Sequence, residues 1–150
     1  MARIHAKAER IIDAGPTDVW AALTDYTRTR PQILPDNYQD YHAEQAAGES
    51  GATVTYRLRA GGRERSYRMR VEEVTPEQEI IERDEMSSFT THWLMERVGP
   101  GEHTRVRLSS EWDSRASGVS GFFERRFAPS GVRRIHEETL LRLSQLMRER

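Results

Sequence analysis

The sequence predicts an α+β fold in which a curved antiparallel sheet of seven strands encloses one long C-terminal helix, with two short helices after the first strand. Three observations predict it. Apolar and polar residues alternate with period two over most of residues 40–113. Val132, Ile135, Thr139, Leu140, Leu143 and Leu146 or Met147 then recur at three- and four-residue spacing, on one helical face. That helix is the only other layer available to cover seven strands, so the sheet must curl around it.

The elements follow in order. Ile4, Ala6 and Ala8 alternate with His5, Lys7 and Glu9 in a first strand running towards Ile12. Gly15-Pro16-Thr17-Asp18 turns the chain into a helix, with Thr17 or Asp18 able to cap its free N–H groups. Val19, Trp20, Leu23 and Tyr26 form its apolar face, and the helix should fail before Pro31. Residues 27–37 give a short turn or second helix under the sheet. A strand over residues 38–45 has two open facings, Tyr41 and Ala43 inward or Asp40 and His42 inward. The next carries Val54, Tyr56, Leu58 and Ala60 on one face, and Gly61-Gly62 marks a hairpin. Its return strand turns Tyr67, Met69 and Val71 inward and Arg68, Arg70 and Glu72 outward. After a strand over residues 80–86, Phe89, Thr91, Trp93 and Met95 share a face. Val106, Leu108, Ser110 and Trp112 share the inner face of the last strand. Pro129 and Gly131 predict a kink between a short helix, residues 119–127, and the long one from Val132; that break could gate a cavity mouth.

Composition bounds the function. The 150 residues suit a single domain, 1–150, with one core. Net charge is −1, from 23 Lys+Arg against 24 Asp+Glu, which argues against nucleic acid as a partner. There is no cysteine, so disulfides and thiolate chemistry are excluded. No apolar run approaches a membrane span and no apolar signal core opens the chain, so no stable membrane insertion and a cytoplasmic location are expected.

The order of elements resembles the helix-grip fold of the START-like (SRPBCC) superfamily, which includes Bet v 1-type carriers, polyketide cyclases and dehydrases, and lipid-transfer domains. The residues that carry the resemblance run from Ala14-Gly15-Pro16-Thr17-Asp18-Val19-Trp20 to Asp25-Tyr26, with Gly51-Ala52-Thr53-Val54 and the Gly61-Gly62-Arg63-Glu64-Arg65 hairpin. The tail from Arg133-Arg134-Ile135-His136 to Leu140 completes the set. The resemblance spans nearly the whole chain and implies a cavity between sheet and helix, with a polyketide-, aromatic- or lipid-like ligand. The wall of that cavity would come from Tyr41, Tyr56, Leu58, Tyr67, Met69, Trp93, Val106, Leu108 and Trp112 of the sheet. Phe123, Phe127, Ile135 and Thr139 would contribute from the C-terminal segment, with Phe122 beside them.

Acid–base candidates are His42, Glu82 and Asp84. Glu82 and Asp84 lie two apart and share a face. Either Ile80 and both carboxylates point inward, or Ile81 does and the carboxylates pair with Arg68 or Arg70 outside; the abundance of arginine favours the second. His92 should face solvent, and His136 sits among charged neighbours on the solvated flank of the helix. No histidine pair has helical metal-ligand spacing, so neither metal nor cofactor is expected. Arg63, Arg65, Arg68, Arg70 and the Arg125/Arg126/Arg133/Arg134 run read as solvated faces balanced by glutamates, although an anionic head group or a membrane surface could use them.

The leading expectation is a monomer or homodimer that binds a small hydrophobic molecule. The alternatives are a polyketide cyclase/dehydratase-type enzyme and an interaction module whose cavity is filled by its own side chains. The turn at residues 26–34 is the expected entrance.

Overall fold

The computed structural model describes residues 3–60, 62–114 and 118–150, and within 118–127 the backbone alone. Seven antiparallel strands form one curved sheet: β1 (Arg3–Ile12), β2 (Tyr38–Glu44), β3 (Ala52–Ala60), β4 (Arg63–Thr75), β5 (Glu79–Asp84), β6 (Thr90–Arg97) and β7 (Thr104–Asp113). Their order is β1-β7-β6-β5-β4-β3-β2, so all but one neighbouring pair are consecutive in the chain. Helix α1 (Pro16–Thr24) and a 3-10 helix (Arg30–Ile33) fill the long connection from β1 to β2. Helix α2 (Gly118–Arg148) lies chiefly against β1, with further contacts to β7, β3 and the 3-10 helix.

The predicted faces of β6 and β7 hold. Thr91, Trp93 and Met95 are buried, as are Val106, Leu108, Ser110 and Trp112. The helix contributes Val132, Ile135, Thr139, Leu140, Leu143 and Met147, all buried as their spacing predicts. Leu140 and Leu143 are almost wholly enclosed, each worth about 1.5–3 kcal/mol of transfer free energy.

Four local expectations are corrected, and one left open is settled. Helix α1 starts at Pro16 with Gly15 as its N-cap and no side-chain cap bond; the Thr17 hydroxyl donates to Glu77 instead. The division into a short and a long helix expected at residues 128–131 is not found, because α2 continues through Pro129 as one helix. A proline deletes a single bond of the ladder, and the turns on either side keep the backbone helical. On β2 the register shifts between Gln39 and His42, and Asp40 takes a positive φ of 56°. Past that bulge the first of the two open facings holds: Tyr41 and Ala43 turn towards the core, His42 is exposed, and the bulge brings Tyr38, three residues before Tyr41, to the same side. On β5 it is Ile80, Glu82 and Asp84 that are buried inward. Ile81 falls on the opposite face, between Glu72 and His92 of the adjoining strands. Finally, His136 is buried at 2% exposure rather than solvated. The expectations of Gly61 as a hairpin residue and of Phe122, Phe123 and Phe127 as pocket walls concern positions outside the described residues.

One turn ties β2, β3 and the α1 connection together. Gly51 has φ of 82°, and its N–H donates to the Glu73 carboxylate, which also accepts from the Tyr26 hydroxyl. An added Cβ there would lie 2.3 Å from the Val71 carbonyl oxygen. Gly51→Ala is therefore expected to cost about 2 kcal/mol through strain at positive φ and displacement of β4. A lowered urea midpoint at unchanged m-value would report it.

Candidate functional site

The concave face of the sheet carries a row of aromatic rings. Tyr38 of β2 meets Tyr56 of β3 at 5.0 Å between centroids, and Tyr56 meets Tyr67 of β4 at 5.8 Å. Tyr67 then meets Phe89 at 4.8 Å, and Phe89 meets Trp112 of β7 at 5.7 Å. The row exists because cross-strand partners share a face: Tyr56 lies opposite Tyr67 in the ladder. The tilted and edge-on ring contacts favour the electrostatics of aromatic pairs.

Its Tyr67–Trp112 end opens into a cleft of 320 Å³. Leu58, Ala60, Tyr67, Phe89 and Trp112 of the sheet side and Val132 of α2 give it apolar walls. Arg63, Arg65, Met86, Ser87, Ser88 and Asp113 complete the lining. The cleft therefore opens between the β3–β4 hairpin and the β5–β6 turn, which corrects the entrance expected at residues 26–34.

The other end of the row meets a buried polar cluster. Arg30, 4% exposed, leaves the 3-10 helix and donates from Nη1 to Glu82 Oε2 at 2.6 Å. Its Nε donates to the Leu23 carbonyl at 2.9 Å, and Nη2 has no partner. The guanidinium lies 5.5 Å from the Tyr26 ring centroid and 5.0 Å from that of Trp93, positions that favour a cation over each ring. Trp93 Nε1 donates to the same Glu82 oxygen at 3.0 Å. Burial, the largest single influence, opposes the charge on Arg30, yet the attraction and hydrogen bond of Glu82 together with Tyr41 and Tyr26 outweigh it, and the guanidinium pKa rises. Burial pushes the Tyr41 phenol up to about 12, with Arg30 opposing and Glu82 reinforcing the rise. Burial also raises Tyr38 and Tyr56, followed in Tyr38 by the nearby Glu82 and in Tyr56 by Tyr38. These three tyrosines are thus neutral at physiological pH.

A second polar chain joins sheet to helix. Thr91 Oγ1 and Ser110 Oγ are 2.7 Å apart, and Ser110 Oγ is 2.7 Å from His136 Nε2. Desolvation lowers the His136 pKa to about 4, so the ring is neutral, and its Nδ1 has no partner.

Of the sequence-predicted wall residues, Leu58, Tyr67 and Trp112 line the cleft. Tyr56, Met69, Trp93, Val106, Leu108, Ile135 and Thr139 are buried behind it, and the half-buried Tyr41 bonds to the Tyr26 carbonyl. The expected acid–base role of His42 is corrected: its ring is 66% exposed and pairs with Glu44 on the outer side. Asp84 faces inward but is occupied, accepting from the Arg68 N–H and the Ser87 hydroxyl. Sequence reasoning missed Arg30, Tyr26 and Tyr38. Tyr38 carried a local signal as an aromatic at the start of a strand, and Tyr26 as part of the apolar helical face; Arg30 carried none.

The family described as "Polyketide cyclase / dehydrase and lipid transport" matches residues 3–148. The chain belongs to that family. Among solved structures this family member is similar to KanY protein, solved by NMR in solution, with 33% identity, 99% of each chain covered and a TM-score of 0.83. A START superfamily protein from Mycobacterium smegmatis matches at 12% identity over 95% of this chain and 93% of that one, TM-score 0.63. The Zhui aromatase/cyclase from Streptomyces sp. R1128 matches at 16% identity over 96% and 88%, TM-score 0.60. Likeness to the last two is one of fold alone. No curated protein matches the chain. Among the described residues no helix is long and apolar enough to cross a membrane.

Proposed function

We propose that this family member binds a small, flat, hydrophobic molecule, polyketide-, aromatic- or lipid-like, between its curved sheet and α2. The observation that carries this is the aromatic row running from the buried cluster into a 320 Å³ cleft with ring walls. A cleft of that size lies at the lower end for small-molecule sites and suits a ligand of a few fused rings. The family description, which names both cyclases and lipid transport, supports a ligand of this class.

A second reading, acid–base catalysis of cyclase or dehydratase type, draws on one observation. Glu82 is buried on the concave face among tyrosine hydroxyls, in a fold shared with an aromatase/cyclase. Glu82 is held by Arg30 and Trp93, and neither it nor Asp84 lines the cleft. Binding is therefore the better supported function.

Native mass spectrometry of protein purified from its source is expected to reveal a co-purifying small molecule. In the same assay Trp112→Ala should lose that molecule while retaining the native circular dichroism spectrum. In titrations with a neutral aromatic probe, Trp112→Ala is expected to weaken binding about tenfold, the scale of one aromatic contact. Undiminished binding would remove Trp112 from the wall.

A further inference from the structure

Resting on the binding role proposed above, we infer that the ligand is a soluble aromatic acid whose anionic group is held at the cleft mouth by Arg63 and Arg65. Strand parity carries the first step. Arg63 and Arg65 have the same parity as Tyr67, Met69 and Val71, the core-facing residues of β4, whereas Arg68 and Arg70 have the opposite one. The ladder sets Arg63 opposite Ala60 and Arg65 opposite Leu58, and all four residues line the cleft. Two guanidinium groups thus extend the ligand-facing stripe of β4 beyond its aromatic end.

Charge pairing carries the second step. On the opposite face of the same hairpin Arg57 pairs with Asp40 and Glu64, and Arg68 with Glu85, while Arg59 and Arg70 point to open solvent away from the cleft and have no ion pair among the described residues. Among the described residues Arg63 and Arg65 have no ion-pair partner. The carboxylate that lines the same cleft, Asp113, is already taken by Arg3 at 3.0 Å. Ring walls formed by Tyr67, Phe89 and Trp112, with two unmatched fork-shaped donors at the exposed edge, complement a flat body ending in a carboxylate or similar anion. The body would lie along the rings, and the anion would remain at the solvent edge, where it need not be dehydrated.

Two probes that differ in one group test this. Anilinonaphthalene sulfonate carries an anion on an aromatic body, and phenylnaphthylamine is the same ring system without it. The wild-type chain is expected to bind both, the sulfonate with an affinity that falls as salt is raised. The double variant Arg63→Gln/Arg65→Gln should weaken the sulfonate about tenfold or more and leave the neutral probe nearly unchanged. Arg68→Gln/Arg70→Gln, on the other face, should change neither. Because both side chains of the first variant are exposed, its fold should persist, as circular dichroism would verify. Equal loss or equal retention of the two probes in that variant would overturn the inference while leaving the binding function standing. Failure of the wild-type chain to bind either probe would remove both. Arginine-dependent sedimentation with phosphatidylglycerol vesicles, without sulfonate binding, would reassign the pair to a lipid surface and overturn the soluble-acid assignment.

Discussion

Arg30→Met is expected to destabilise the fold by about 3–5 kcal/mol, a large share of the stability of a typical small domain. The reason is what the substitution leaves behind. Glu82 is 6% exposed, and its Oε2 accepts from Arg30 at 2.6 Å and from the Trp93 indole at 3.0 Å. Without the guanidinium, one indole N–H would have to stabilise a buried carboxylate alone. The Leu23 carbonyl would lose its donor as well, and the Tyr26 and Trp93 rings would lose the cation between them. Arg30→Met/Glu82→Leu should recover most of the loss, since burying two ions costs much of what their attraction returns. Arg30 adds to that cost through an unpartnered Nη2. Urea unfolding of the wild type, both single variants and the double variant gives the cycle. A wild-type midpoint in Arg30→Met would mean that the pair contributes nothing. A double variant no better than the single would mean that the cluster holds the fold by shape rather than charge.

That pair also explains why β5 misleads a reader of the sequence. Two acidic residues on one face, beside a strand rich in arginine, read as the outer face on ordinary statistics. The countercharge that reverses the reading lies 52 residues away in a turn that no periodicity marks. β6 and β7 read correctly because their two faces differ in kind, aromatic and aliphatic against arginine and glutamate. β2 stays open for a geometric reason: the bulge at Asp40 changes the phase of the strand, so that Tyr38 joins Tyr41 and Ala43 on the core side although strict alternation would part them.

The site is legible to a similar degree. Tyr67, Leu58 and Trp112 follow from strand parity, and the same parity separates Arg63 and Arg65 from Arg68 and Arg70, although a run of arginines invites reading all four as one solvated face. The cleft mouth brings together residues of the β3–β4 hairpin, the β5–β6 turn and α2, far apart in the chain, which is a property of the assembled fold. His136 was within reach. It stands four residues after Val132 and four before Leu140, squarely on the buried stripe, and its charged sequence neighbours obscured that.

That position makes the stability of the chain sensitive to mildly acidic pH. Desolvation holds the folded pKa of His136 at about 4, against 6.5 for a free imidazole. Between those values the unfolded chain binds a proton that the folded chain does not. Stability is therefore fully present above pH 6.5, falls as pH drops through the window, and the loss is complete near pH 4. At about 1.4 kcal/mol per pH unit, the whole window amounts to roughly 3 kcal/mol. Carboxylates titrate at its lower end too, so the comparison must be with His136→Leu, which removes this titration and leaves Ser110 bonded to Thr91. The variant's stability, from urea unfolding at a series of pH values, should decline less steeply than the wild type's between pH 6.5 and 4. The unpartnered Nδ1 also disappears in the variant, which offsets part of the lost Ser110 contact at neutral pH. Parallel curves for the two proteins would show that His136 takes up its proton in the folded state as readily as in the unfolded one, through an opening of the α2–β7 contact at little cost.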